Sequence, residues 1–249
     1  MTRMRAAPVI ALLVCGCHAH LGDGPSPLGA GDDAPPGVDS AVMVDGSVDG
    51  AAACFNGRRV YLNFEGDKLT KGPSDATTDH AVWLGVTTAT VPKFHANSAT
   101  RAQDIQTVTD LINATLGTFP IDVVTQRPAS GPYVMVVFGG DRTIVGTQYN
   151  YAVNNLDCGD GVKSDVAWVS DTIPTLQKTA DFAVGSIAYG IGLTGTHDPN
   201  DCMCGWANGC QQPNNSACTL GMAINADLKC NGQTNPQNEV AAFQQAFCQ

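Results

Sequence analysis

Residues Phe182 to Cys204 read FAVGSIAYGIGLTGTHDPNDCMC. Their first part continues an apolar face that begins upstream. Leu176, Ala180, Ala183, Val184, Ile187, Ala188 and Ile191 recur at helical spacing, and the pattern ends at Gly192, a frequent helix stop. From Thr194 to about Gln233 the chain is an irregular segment rich in cysteine and asparagine. Gly185 interrupts the helix, and Gly190 does so near its end. Each is about 1 kcal/mol less favourable there than alanine. Two explanations are open: close packing against a neighbouring strand, or a cleft floor kept free of side chains.

Upstream, Asp171 or Thr172 is placed to cap this helix, with Pro174 in its first turn. Before it, Ser164–Ser170 reads as a strand with Val166 and Trp168 on one face and Ala167 and Val169 on the other. Tyr133–Phe138 is continuously apolar and closed by Gly139-Gly140. Such a run reads as a strand buried on both faces in the middle of a mixed sheet. Arg59–Phe64 alternates with period two, and Ala81–Val91 is a second, threonine-rich strand candidate. Ser98 is placed to cap a helix over Ala99–Leu116, carried by Ile105, Val108, Leu111, Ile112 and Leu116 and stopped by Gly117. After Pro120, Ile121–Val124 is a short strand. Gln237–Phe247 is a terminal helix beside Cys248. The order predicts one compact α/β (α+β) domain over residues 54–249 with a mixed twisted sheet.

The N-terminus reads as a targeting segment. Arg3 and Arg5 precede an apolar run, Ala6–Val14, that is too short to span a bilayer. Val14-Cys15-Gly16-Cys17 resembles a bacterial lipobox, with Cys17 as the acylated first residue after a signal peptide of residues 1–17. Plain secretion, with cleavage after Ala19, is the simpler alternative. In bacterial lipoproteins a residue other than Asp after the cysteine, here His18, implies the outer membrane or cell surface. Residues 18–53 are rich in Gly, Pro and Asp and too poor in apolar residues to fold, as expected of a tether.

Eight further cysteines, Cys54, Cys158, Cys202, Cys204, Cys210, Cys218, Cys230 and Cys248, form an even set in an exported chain. They predict structural disulfides rather than a zinc knuckle, whose spacing they do not match. Thirteen basic against twenty-three acidic residues give a net charge of -10, which argues against a nucleic-acid partner. Any membrane association is expected through the lipid anchor alone.

Laid on the long zinc-protease motif HExxHxxGxxH, the run GSIAYGIGLTG falls into register without a gap. Gly192 meets the motif's glycine, Leu193 follows it, and Met203 stands where a Met-turn methionine would be. Gly185, Tyr189 and Gly195 occupy the three histidine positions, and Ser186 the glutamate. The segment resembles the active-site region of metzincin-type, matrixin-like zinc proteases. The element order extends this resemblance from Phe55 to Gln249, although its sharp part is Gly185–Met203. It implies a metzincin-like sheet, a degenerate active-site helix, a disulfide-rich loop region and a terminal helix.

In a working site two histidines at i and i+4 and a third beyond the turn hold zinc, and the glutamate activates the bound water. Glycine offers no side-chain donor, and a tyrosine with its usual pKa near ~10 is a poor ligand. Serine is no base at neutral pH. No zinc cofactor is therefore expected, and structural calcium has no motif behind it. His197, Asp198 and Asp201 are weak candidates for another metal, although His-Asp-Pro-Asn-Asp is also ordinary turn chemistry. Ser170, Asp171 and Ser186 lack the nucleophile-elbow context of a serine hydrolase. Asp157, Asp160 and Asp165 read as solvated loop carboxylates, and His80 and His95 as surface residues.

The leading expectation is an exported, lipid-anchored, catalytically inactive metalloprotease-like domain that binds a peptide or protein in the envelope. Two alternatives stand beside it. One is an active metal-dependent peptidase or hydrolase with a non-standard site around His197. The other is a structural or adhesive surface protein, in which Gly185 and Tyr189 would be buried against the sheet with no groove beside them.

Overall fold

The computed structural model describes residues 57–226 and 228–248. The expected signal peptide, Cys17, the tether and Cys54 lie outside the described residues. In chain order come strands β1 (Arg59–Asn63), β2 (Asp67–Lys71), β3 (His80–Ala81) and β4 (Thr88–Val91), then helix α1 (Arg101–Leu116). Strands β5 (Asp122–Val124) and β6 (Tyr133–Phe138), the single-turn helix α2 (Arg142–Val145) and strands β7 (Ala152–Val153) and β8 (Val166–Val169) follow. The chain closes with helix α3 (Leu176–Gly190), the paired strands β9 (Met222–Ala223) and β10 (Gln237–Asn238), and helix α4 (Glu239–Phe247).

The main sheet has the order β5-β1-β6-β8-β7. Its first four strands are parallel, and β7 runs antiparallel at the edge. Strand β6 lies at the centre with all six residues buried, as its unbroken apolar run predicts. Alternate side chains serve two cores. Val134, Val136 and Phe138 face the helices with Ala167 and Val169, while Tyr133, Met135 and Val137 face the second sheet with Val166 and Trp168. That second sheet, β3-β2-β4, covers one face of the main sheet with Leu69, Leu84 and Val91. Helices α1, α3 and α4 cover the other with Ile112, Ile187 and Phe243, each fully buried. Burying one such side chain stabilises the fold by about 1.5–3 kcal/mol.

Several element ends differ from the sequence expectation. The span Ala81–Val91 is not one strand: its ends belong to β3 and β4, and turns lie between. Gly85 sits in those turns with its N–H bonded to the Val145 carbonyl at 3.0 Å, and a Cβ there would collide with the Gly146 carbonyl oxygen at 1.8 Å. Ser98 does not cap α1, because its hydroxyl and that of Thr100 both turn to the Asp104 carboxylate. Thr175 caps α3 through Lys178 N–H at 3.2 Å, whereas Thr172 is engaged with Ser170 at 2.8 Å. Asn238 caps α4 by accepting from Ala241 N–H, and Gln237 lies in β10 rather than in the helix.

Three disulfides tie the C-terminal region: Cys158–Cys230, Cys202–Cys218 and Cys204–Cys210. Cys248 is also disulfide-bonded.

Candidate functional site

The expected site positions gather at the C-terminal half of α3 and the loop beyond it. Gly192 has φ +95°, the left-handed turn that lets Leu193 and Gly195 fold back. Met203 is fully buried in the helix-side core with Ile191 and Leu193, and its carbonyl accepts from Thr196 N–H at 3.3 Å. A 3₁₀ turn, Cys204–Trp206, follows directly. It lies inside the short loop closed by Cys204–Cys210.

Trp206 is the residue that decides the geometry. A Cβ on Gly185 would lie 2.4 Å from Trp206 Nε1 and 2.8 Å from the Cys202 carbonyl oxygen. A Cβ on Gly195 would lie 2.5 Å from the Trp206 carbonyl carbon and from Ala207 N. The Tyr189 ring stacks on the indole with centroids 4.5 Å apart and planes 22° from parallel. Trp206 thus borders all three positions that the motif assigns to metal-binding histidines. It fills the volume that their side chains would use. The fourth position, Ser186, is fully buried, and its Oγ donates to the Phe182 carbonyl at 2.8 Å. These four positions do not fit a zinc ion: they supply no ligand set and leave no room for one.

The mid-helix Gly185 is therefore explained by close packing, but against a loop rather than a strand. Gly190 has a separate reason. Its missing Cβ makes room for Asp165 Oδ2 at 2.4 Å and Asn154 Nδ2 at 2.5 Å. Asn154 donates to the Ser186 carbonyl at 2.9 Å and so ties the end of β7 to α3. Burial pushes the Asp165 carboxyl up to about 6, against the opposing hydrogen bond from Asn154.

Beside Trp206 runs a cleft of about 710 Å³. Tyr149, Tyr151, Ala152, Tyr189, His197, Trp206 and Lys229 are among the residues that line it. The Lys229 ammonium stands 5.9 Å from the centroid of the Tyr189 ring. Tyr149 is 55% exposed. At the edge strand, Ser170 N–H bonds the Tyr151 carbonyl at 2.8 Å. Antiparallel pairing alternates, so the N–H and C=O of Ala152 point away from β8 to the sheet edge.

The remaining sequence candidates do not converge. His197 and Asp198 are exposed, whereas Asp201 is buried and bonded to Met203 N–H at 2.7 Å. Among the described residues no group of three or more His, Cys, Asp or Glu side chains is arranged to hold a metal ion. Ser170 Oγ donates to the Gly140 carbonyl at 2.9 Å. Asp160 is engaged by Arg58 and Lys163, Asp157 accepts from Val162 N–H, and Asp165 is buried rather than solvated. His95 is half-buried, stacked on Phe94 and 2.8 Å from Asp104. Sequence reasoning missed Trp206 and the Asn154–Asp165 pair. The close spacing of Cys204 and Cys210 around Trp206 was the available signal for the first.

No protein-family profile and no curated protein matches the chain.

Proposed function

We propose that this chain is an exported, lipid-anchored binding protein built on a metzincin-like frame whose metal position is closed. A peptide or protein partner lies in the cleft beside Trp206. The observation that carries the reading is the placement of Trp206 against Gly185, Tyr189 and Gly195 together. A disabled site of this kind retains a shaped groove and loses the means to activate water. The strand order, the Gly192 turn and the buried Met203 support the frame. The disulfides fit an oxidising compartment, and Cys17 supplies the anchor at the outer membrane or cell surface.

The cleft supports a protein or peptide partner in two ways. Its walls combine tyrosine and tryptophan with Asn150, Asn208 and glycine, the rigid aromatic and adaptable amide mixture of protein-binding surfaces. Ala152 also offers one N–H and one C=O at a strand edge, the groups to which an extended segment adds.

Selection of displayed peptides against the oxidised full-length chain tests this. Saturable binders are expected, and Tyr149→Ala should weaken them at least tenfold, as removal of an aromatic anchor does. Peptide cleavage that EDTA stops and His197→Ala abolishes would overturn the reading in favour of a hydrolase. Failure to select any cleft binder would overturn it in favour of a structural envelope protein.

A further inference from the structure

Six large apolar side chains are exposed among the described residues, and four of them, Met222, Ile224, Leu228 and Val240, belong to the C-terminal segment. Met222 and Ile224 are 64% and 72% exposed, whereas Ala223 and Asn225 are 7% and 6% exposed. This is strand alternation turned inside out: the apolar side chains face water and an amide faces in. Hydrogen bonds fix it that way. Asn225 Nδ2 donates to Thr194 Oγ1 at 3.1 Å, and Asn225 Oδ1 accepts from Gln237 N–H at 3.1 Å. Asn225 N–H bonds Asn235 Oδ1 at 3.1 Å, and Ala226 N–H bonds the Gly195 carbonyl at 2.7 Å. A slip by one residue would turn Ile224 inward only by turning Asn225 out of these bonds. Leu228 lies four residues beyond Ile224, so within about 14 Å of it. Val240 lies two residues beyond Asn238, which pairs with Met222 across β9 and β10.

The same part of the chain is nearly free of charge. Asp227, Lys229 and Glu239 are the only Asp, Glu, Lys or Arg residues between 202 and 249, and Glu239 is fully buried. Residues 57–201 contain 25 such residues. That distribution selects among occupants. A foreign protein steered by charge would meet few complementary groups here. A bilayer surface is held by lysines and arginines beside apolar residues, and Lys229 is the single basic residue of the segment. A second copy fits better. In a two-fold contact the same patch meets itself, so charges face their likes. A chain with a net charge of -10 can pair with itself only through a surface that carries few of them.

We propose that Met222, Ile224, Leu228 and Val240 form the apolar centre of a two-fold interface between copies of this chain. Apolar residues, methionine among them, in a setting depleted of charge are the composition of interface centres. Exposed uncharged residues of the same segment, such as Asn231, Thr234 and Gln244, supply the polar rim. An interface of standard size takes about 800 Å² from each partner, more than four side chains provide, so the rim takes part. A dissociation constant of about 1–100 μM is expected of such a contact. Ala226 and Lys229 line the cleft, so the contact abuts a segment that borders it. The inference goes beyond the binding reading and does not depend on it.

Sedimentation velocity of the oxidised full chain tests this without a ligand, and Cys17→Ser removes any acyl group from the comparison. A concentration-dependent equilibrium of monomer and dimer is expected, ending at the dimer. Met222→Gln/Ile224→Gln/Leu228→Gln should weaken it at least tenfold, as loss of an apolar centre does. Ile224→Glu alone should do the same by setting like charges into the contact. These side chains are mostly exposed, so both variants should keep the parent's thermal melt. Where one melts early, the other carries the test. Val82→Gln, which removes an exposed apolar residue outside the segment, should leave the equilibrium unchanged. A chain that stays monomeric at millimolar concentration overturns the proposal. So does a dimer that persists unchanged in a folded variant, one that Val82→Gln disrupts equally, or association that grows past the dimer.

Discussion

The two parts of this molecule are held by different forces. Every ion pair between described residues lies between Arg58 and Lys163, around the two sheets. Three disulfides engage residues from 202 to 230, where the regular structure is one 3₁₀ turn, Cys204–Trp206, and the two-residue strand β9. A long apolar strand pairs on both edges and packs on both faces, so burial and strand pairing dominate the first region. The second region has too little regular structure to bury comparable area. It is fixed by cross-links and by side-chain amides, such as Gln237 bonding both the N–H and the C=O of Thr194 at 3.1 and 3.0 Å. The candidate site lies where the two regimes meet, with α3 supplied by the first and Trp206 by the second.

This contrast is most directly broken by removing the long-range cross-link. Cys158 and Cys230 are 72 residues apart, so their bond restricts the unfolded chain by about 4 kcal/mol. The Cys158→Ser/Cys230→Ser chain should lose most of that in urea denaturation. Cys204 and Cys210, 6 residues apart, should account for about 2 kcal/mol by the same reasoning. Equal effects from the two pairs would show that local packing, not chain restriction, governs the region.

The meeting point is sharpened by Gly185→Ala. Helix propensity alone favours this change by about 1 kcal/mol, yet the new methyl meets Trp206 Nε1 at 2.4 Å. A net loss of about 1–3 kcal/mol is expected from overpacking. Adding Trp206→Ala should restore the helical gain, and thermal melts of the four chains of this double-mutant cycle give the coupling. Additive effects would show that the indole is not what occupies the space above Gly185.

The smallest effect is expected in the first region, at an exposed ion pair. Arg59 and Asp122 are 45% and 62% exposed, and Asp122→Asn should change stability by less than about 1 kcal/mol. A larger loss, measured by urea denaturation, would mean that the sheet region depends on its charges after all.

What the sequence discloses follows the same division. Tyr133–Phe138, Val166–Val169 and the stripes of α1 and α3 are long or periodic enough to declare both element and burial face. Strand β7 has two residues and β9 two, lengths over which no period exists to be read. At the site, the motif frame located Gly185, Tyr189, Gly195 and Met203, which the fold brings to one place. It was silent on Trp206, because that residue's position depends on closure of the Cys204–Cys210 loop. Spacing along the chain reports neighbours on one element, not partners supplied by a folded loop.

Trp206 also sets the order in which substitutions on this surface can be tolerated. A histidine introduced at position 185 alone runs into the indole, and one at position 195 into the backbone of residues 206–207. Either step is penalised before any metal-binding advantage exists. Accommodating a side chain at these positions requires the small disulfide loop to shorten, open or lose its tryptophan. The plug therefore couples two parts of the sequence: a side chain larger than hydrogen at 185 or 195 requires a change in the loop that packs against them.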